Sequence, residues 1–310
     1  MAPAALERLA CAAVQGPCAP PGGQLSMVAA VAEVWAGDHP DVSDGDRDDD
    51  DPACDKHLRR TPWSLVIVDV AVTPITSGRA LLSTRRRLEC GRVDSSPLLY
   101  NTKQLCVADD GFVFVADCCN TSGVGTVTVL TSNLAVHSSI DMGQCPCANV
   151  AGVCVNKDVV VVSRTCAVSV FHRSTGLLVD GGGCCRCDDM CGSAPTFGRV
   201  CFLSCGTRIA SLDVRRDVVH VCYVDGRAAG TLTRHICVGG PSPHNVGASP
   251  SESNLWAIAC SPADEIVVAG RCGIMVLSDV GVVLKTLAHD ASNVRDIIVV
   301  RDSALLLLLS

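Results

Sequence analysis

The sequence predicts an all-β fold, a β-propeller of about five four-stranded blades. Three observations carry this reading. Short runs of β-branched and aromatic residues are bounded by Asp, Asn, Ser and Gly. The runs come in groups of four, and the groups recur at intervals of roughly 40–50 residues, the period of propeller blades.

The clearest group spans residues 105–140. Phe112-Val-Phe-Val-Ala116 suits a pleated, half-buried surface. Ahead of it Asp109-Asp110-Gly111 supplies a turn in which the glycine is free to take positive φ. Residues 126–130 form the next strand, and Thr131-Ser132-Asn133 turns the chain into the last, 134–140. One such sheet leaves two apolar faces exposed and needs copies of itself to stack on.

The second group is expected at 153–155, 159–163, 167–171 and 176–179, the third at 200–202, 208–210, 218–222 and 226–232. The fourth is expected at 257–260, 265–269, 274–277 and 281–287. Val129, Val170, Val221 and Val276 mark the third strand of each, at offsets of 41, 51 and 55 residues. The drift places insertions at 180–198 and 233–254.

A fifth group begins with runs at 294–300 and 304–309, and two further runs lie upstream at 64–72 and 79–83. Strands from 64–83 are expected to complete the last blade with 294–309 and so close the ring, removing open sheet edges. The expected domain is then 61–310. Residues 1–60 are expected to form a disordered acidic tail, with a short helix near 4–14 and seven aspartates between Asp41 and Asp51.

These groups resemble the repeats of the NHL β-propeller family. Gly111-Phe-Val-Phe-Val-Ala-Asp117 with Asn120 matches the first half of its repeat; Val221-Cys-Tyr-Val-Asp-Gly226 and Val276-Leu-Ser-Asp-Val-Gly281 match the later half. The resemblance covers residues 98–310. It implies a non-enzymatic scaffold whose loop face binds a protein partner, with RNA as the alternative. The contact candidates are turn residues at equivalent blade positions: Asn120, Arg164, Arg215, Arg216 and Arg271. The family's arginine is missing after Asn120, where Thr121-Ser-Gly-Val-Gly125 stands instead.

Hydrophobic residues make up 48% of the chain and its mean hydropathy is +0.34, as a strand-rich interior requires. A net charge of −7 argues against a general nucleic-acid surface, so no DNA partner is expected. Asp69 and Arg301 interrupt the longest apolar runs, so no membrane span is expected either. The first residues lack a basic stretch followed by an apolar core, and a soluble cytoplasmic protein is the expectation. Of 21 cysteines, several lie inside apolar strands, among them Cys106, Cys154, Cys201, Cys222 and Cys260. There a reduced thiol behaves as a small hydrophobe.

Metal chemistry has one candidate, Cys184, Cys185, Cys187 and Cys191, near Cys145 and Cys147. Cys187 and Cys191 have the spacing of a zinc knuckle, but Cys145-Pro-Cys147 is one residue short. The cluster is read as a product of cysteine-rich composition, and no cofactor is expected. Serine-nucleophile, P-loop and dinucleotide motifs are absent. A propeller hydrolase or lyase with an axial metal is the alternative, which needs polar ligands converging from the inner strands. Those strands read as almost purely apolar, which favours the scaffold. A degenerate repeat copy with little function is the remaining alternative.

Overall fold

The structure, a computed structural model, describes residues 6–15, 24–34, 63–71, 81–89, 92–93, 96–97, 102–118, 125–142, 150–164, 167–179, 196–213, 216–224, 232–238, 255–271, 273–288, 291, 294–300 and 304–309. All of its regular structure is β. The first sheet contains β1 (Leu6–Gln15), β2 (Gln24–Val34), β3 (Trp63–Ala71) and β4 (Leu81–Glu89), followed by the short pair β5 (Arg92–Val93) and β6 (Ser96–Pro97). A second sheet contains β7 (Thr102–Val107), β8 (Val113–Cys118), β9 (Gly125–Leu130) and β10 (Val136–Asp141). A third has β11 (Val150–Val155), β12 (Val159–Arg164) and β13 (Ala167–His172). The fourth has β14 (Phe197–Phe202), β15 (Arg208–Asp213), β16 (Val218–Tyr223) and β17 (Leu232–Cys237). The fifth has β18 (Leu255–Cys260), β19 (Ile266–Gly270), β20 (Gly273–Leu277) and β21 (Val283–Ala288), and β22 (Val294–Val300) pairs with β23 (Ala304–Leu309).

Every sheet is an antiparallel meander in which strands follow in chain order. The four sheets from β7 to β21 have three or four strands each, as stacked blades require. Their first strands are neighbours in series: β7 lies beside β11, β11 beside β14, β14 beside β18 and β18 beside β22. The first strand of each sheet is therefore the inner one. β1 lies beside both β7 and β22.

Four expectations are corrected. Strands β3 and β4 pair with β2 and with each other, not with β23, so they do not complete the last pair. Residues 6–15, read as a short helix in a disordered tail, form β1 and pair along their length with β2. Local helix propensity is a weak prior that a tertiary partner overrides. In the fourth sheet the outer strand falls at Leu232–Cys237, later than 226–232. The fourth run of the third sheet, expected at 176–179, makes only an isolated bridge between Phe171 and Leu178.

Packing follows strand alternation. Between the second and third sheets Phe114, Ala116, Val127, Val150, Val153, Val160 and Val162 are buried together. Cys154, Val168, Val170, Phe197, Val200 and Ile209 fill the next seam, and Leu212, Val219, Val221, Ile258, Ile266 and Val268 the one after. Aliphatic side chains dominate because the chain carries few aromatics. Gly111 takes φ +85° in the turn that Asp110 closes onto the Phe112 amide, as the turn sequence predicts.

A repeated irregularity was not legible in the sequence. Each inner strand carries one extra residue against its partner: the register shifts between Leu9 and Cys11, Thr102 and Gln104, Val150 and Gly152, Phe197 and Val200, Leu255 and Ala257, and Val294 and Asp296. These bulges, at the first residues of the strand in all but β1, bend the inner strand and leave backbone groups out of the ladder.

Candidate functional site

The sequence-predicted contact residues divide into two sets. Asn120 and Arg215 lie outside the described residues, as do Cys184, Cys185, Cys187 and Cys191. Arg164 ends β12, Arg216 stands in the β15–β16 turn and Arg271 follows β19. The meander puts all three at the same end of successive sheets, because each follows a second strand. Arg164 is committed to packing. It donates to Met142 O at 3.4 Å, on the neighbouring sheet, and to Ser169 Oγ at 2.6 Å. Arg271 is exposed and Arg216 half-buried.

The inner strands are less apolar than their sequences suggest, which corrects the expectation drawn from them. Gln104 on β7 projects into the bulges of two other sheets. Its Oε1 accepts from the amides of Val153 (3.2 Å) and Val200 (3.1 Å), and its Nε2 donates to Val200 O (2.8 Å). Ser163 Oγ donates to Gly198 O inside the β14 bulge, and Trp256 Nε1 donates to Val294 O at 2.7 Å. Arg199 forms an ion pair with Asp296, joining β14 to β22, and both side chains are largely buried. These side chains take up the backbone groups that the bulges free, since a buried unpaired amide or carbonyl is costly. Gly152 makes the approach possible: a Cβ there would stand 3.0 Å from Arg199 Cα and 2.8 Å from Ser163 Oγ.

Sequence reasoning missed this set because each residue is isolated in the chain. The signal that could have found it is a polar residue recurring near the start of each inner run. Among the described residues no three His, Cys, Asp or Glu side chains gather as a metal site. His220 on β16 is packed in the core. It lies 3.3 Å from Asp213 Oδ2 in full burial, edge-on to Phe197.

The opposite end of the sheets carries a run of polar latches from sheet to sheet. Arg173 pairs with Asp110, lies 5.7 Å from the Phe114 ring centre and donates to Asn156 O at 3.3 Å. Asn156 Nδ2 donates to Gly206 O at 2.9 Å, and Arg208 reaches Asp279 at 3.1 Å and Asp264 at 3.7 Å. Burial pushes the Asp110 carboxyl up, but hydrogen bonds from Arg173 and the Phe112 amide outweigh it and hold it below the ordinary range. A cavity of about 510 Å³ opens beside this first latch, lined by Phe112, His137, Ser139, Lys157, Arg173 and Thr175.

The second surface is apolar. Val280, Val282, Val283, Leu284 and Leu287 are each 40–58% exposed, in or just before β21. They make up most of the exposed large apolar side chains among the described residues, which marks this strand as a patch rather than scatter. β21 is the outer strand of its sheet, and the neighbouring β22–β23 sheet has two strands among the described residues. A smaller cavity of about 250 Å³ lies at this seam, lined by Val267, Val276, Leu284, Leu287 and Val299.

No family model matches the sequence, and no curated protein matches it either.

Proposed function

We propose that this chain is a non-enzymatic scaffold that binds a partner protein, and that the partner adds an extended, apolar strand along β21. The observation that carries the reading is the exposed apolar run from Val280 to Leu287 on an outer strand. An outer strand presents backbone donors and acceptors in a row, and side-chain pockets beside it give specificity. Leu284 and Leu287 flank such a pocket. A small polar ligand or RNA has no use for five aliphatic side chains, so a protein strand is the occupant.

The resemblance to NHL propellers supports the same class of role. It also fits a closed ring of six blades, in which the β1–β4 sheet stands between the β7–β10 sheet and the β22–β23 pair. The adjacency of β1 to both β7 and β22 supports that closure.

The test is selection of displayed peptides against the whole chain, followed by hydrogen exchange with the best binder. Enriched peptides with alternating apolar residues that slow exchange in 283–288 support the reading. Protection only around Arg173 and Lys157 would move the site to the polar cavity and defeat it.

A further inference from the structure

Three successive inner strands carry cysteine two residues before their turns. The turns start at Ala108, Asn156 and Leu203, whose amides close them, and the cysteines are Cys106, Cys154 and Cys201. Each meets the next sheet near the residue just ahead of that sheet's own turn. The Cys106 thiol is hydrogen-bonded at the Val155 backbone, and Cys154 shares an apolar cluster with Phe202. At the third seam the facing residue is itself a cysteine. Cys201 Sγ lies 2.8 Å from Cys260 Sγ, although the two residues are 59 positions apart in the sequence.

We propose that Cys201 and Cys260 are a thiol–disulfide site, oxidised by a low-molecular-weight disulfide such as oxidised glutathione and re-reduced by free thiol. The two sulfurs already face each other across the seam between β14 and β18, and a covalent bond of about 2.05 Å needs an approach of less than ~1 Å. Both residues are half-buried at this seam. Cys154 is near enough to Cys106 and Cys260 for their charges to act on it, but among the described residues the sulfur–sulfur contact shown is that of Cys201 with Cys260.

The reaction balances with the named oxidant. One thiol loses its proton to solvent, and its thiolate attacks a sulfur of the small disulfide. That bond breaks, leaving a mixed disulfide and a released thiolate that takes up a proton. The second thiol then loses its proton and attacks the protein sulfur of the mixed disulfide. The Cys201–Cys260 bond forms and the second small thiol leaves, protonated. Two protein thiols are oxidised and one small disulfide is reduced to two thiols. The hydrogen bond to Cys201 and burial hold the Cys260 proton well above the ordinary thiol range, which slows its attack, so ring closure rests on the proximity of the two sulfurs. The bond would staple the β14–β17 sheet to the β18–β21 sheet at their inner strands.

The experiment uses the whole chain in graded mixtures of reduced and oxidised glutathione, quenched with N-ethylmaleimide and digested at low pH. Mass spectrometry is expected to find a cross-linked peptide pair containing Cys201 and Cys260. It should persist in Cys205→Ser and vanish in both Cys201→Ser and Cys260→Ser. The oxidised wild-type chain should melt roughly 5–10 °C higher than the reduced one, a shift lost in Cys260→Ser. Recovery of both residues as maleimide adducts after oxidation, or of either one joined only to glutathione or to another cysteine, overturns the proposal. The wild-type map decides the matter even if a serine variant folds poorly.

Discussion

Arg173 and Asp110 are joined by a charge-assisted hydrogen bond across the seam between the β7–β10 and β11–β13 sheets, with the guanidinium near the face of Phe114. The two residues are 63 positions apart, and neither lies within a strand. The latch holds two neighbouring sheets at their turns, where β ladders give no support between sheets. Arg173→Ala is expected to cost about 1–2 kcal/mol, through loss of the ion pair, the Asn156 contact and the ring contact together. Urea unfolding of the two proteins measures it. A change within error would mean that the turns are held by packing alone.

The same pair makes stability depend on pH in the acid range. The folded-state pKa of Asp110 lies below its unfolded value, so the carboxylate's contribution is fully present above about pH 4. It disappears as pH falls through the lowered folded value. Half of the Asp110 side chain is exposed, so solvent screens the pair and the contribution stays below about 1 kcal/mol. The stability gap between wild type and Asp110→Asn should therefore be constant at neutral pH and close on acidification. A gap that widens in acid contradicts the assignment.

Gln104 offers a sharper case, because one amide serves three backbone groups in two other sheets. Gln104→Leu keeps most of the volume and removes all three hydrogen bonds. The expected cost is about 2–4 kcal/mol, dominated by stranded amides rather than by lost contact. Gln104→Glu retains both accepted bonds and loses the donated one, so it should fall between. Chemical denaturation ranks the three proteins; an unaffected Leu variant would show that the bulges are solvated.

Gly152→Ala tests the close approach at the β11 bulge. The added methyl would meet the Gln104 amide, Ser163 Oγ and the Arg199 backbone. Backbone cannot move aside as a flexible side chain can, so a loss of about 1–3 kcal/mol is expected. Combining it with Gln104→Ala should recover only part of the loss, since the Arg199 contact remains. Full recovery in the double variant would place all of the strain on the amide.

Thiol chemistry separates the described cysteines. Burial pushes Cys106 up to about 11 and holds Cys154 well above the usual value. Cys205 is exposed; its slight burial acts upward, but hydrogen bonds from Thr207 and Arg208 bring its thiol below the usual value. At pH 8 and under reducing conditions, iodoacetamide should label Cys205 well before Cys106 or Cys154, as peptide mapping over time would show. Equal rates would mean that the inner strands open freely to solvent.

The apolar strand β21 predicts a separation of binding from stability. Val283→Lys and Leu284→Lys change side chains that are already half exposed, so unfolding free energy should shift by less than about 0.5 kcal/mol. Binding of a selected apolar peptide, followed by calorimetry, should fall at least about tenfold. A large loss of stability would instead make β21 part of the core.

What the sequence determined alone is the alternation of apolar and polar residues, and with it the strands. The runs around Val115, Val161, Ile209 and Val267 are all buried strand residues, because period-two patterning is a local property that survives any arrangement of sheets. The turn at Asp110-Gly111 was equally local. The partner of β3 and the strand character of residues 6–15 were decided by which edge was available, and no local pattern encodes an edge. The inner-strand bulges, the reach of Gln104 and the pairing of Arg199 with Asp296 belong to the tertiary structure for the same reason. Gln104 and the Arg199–Asp296 pair join residues about 50 to 100 positions apart, and their need for a partner arises only once the sheets have stacked. Cys201 and Cys260 follow that rule: the sequence marks both as strand thiols, and only the stacking of two sheets sets one against the other.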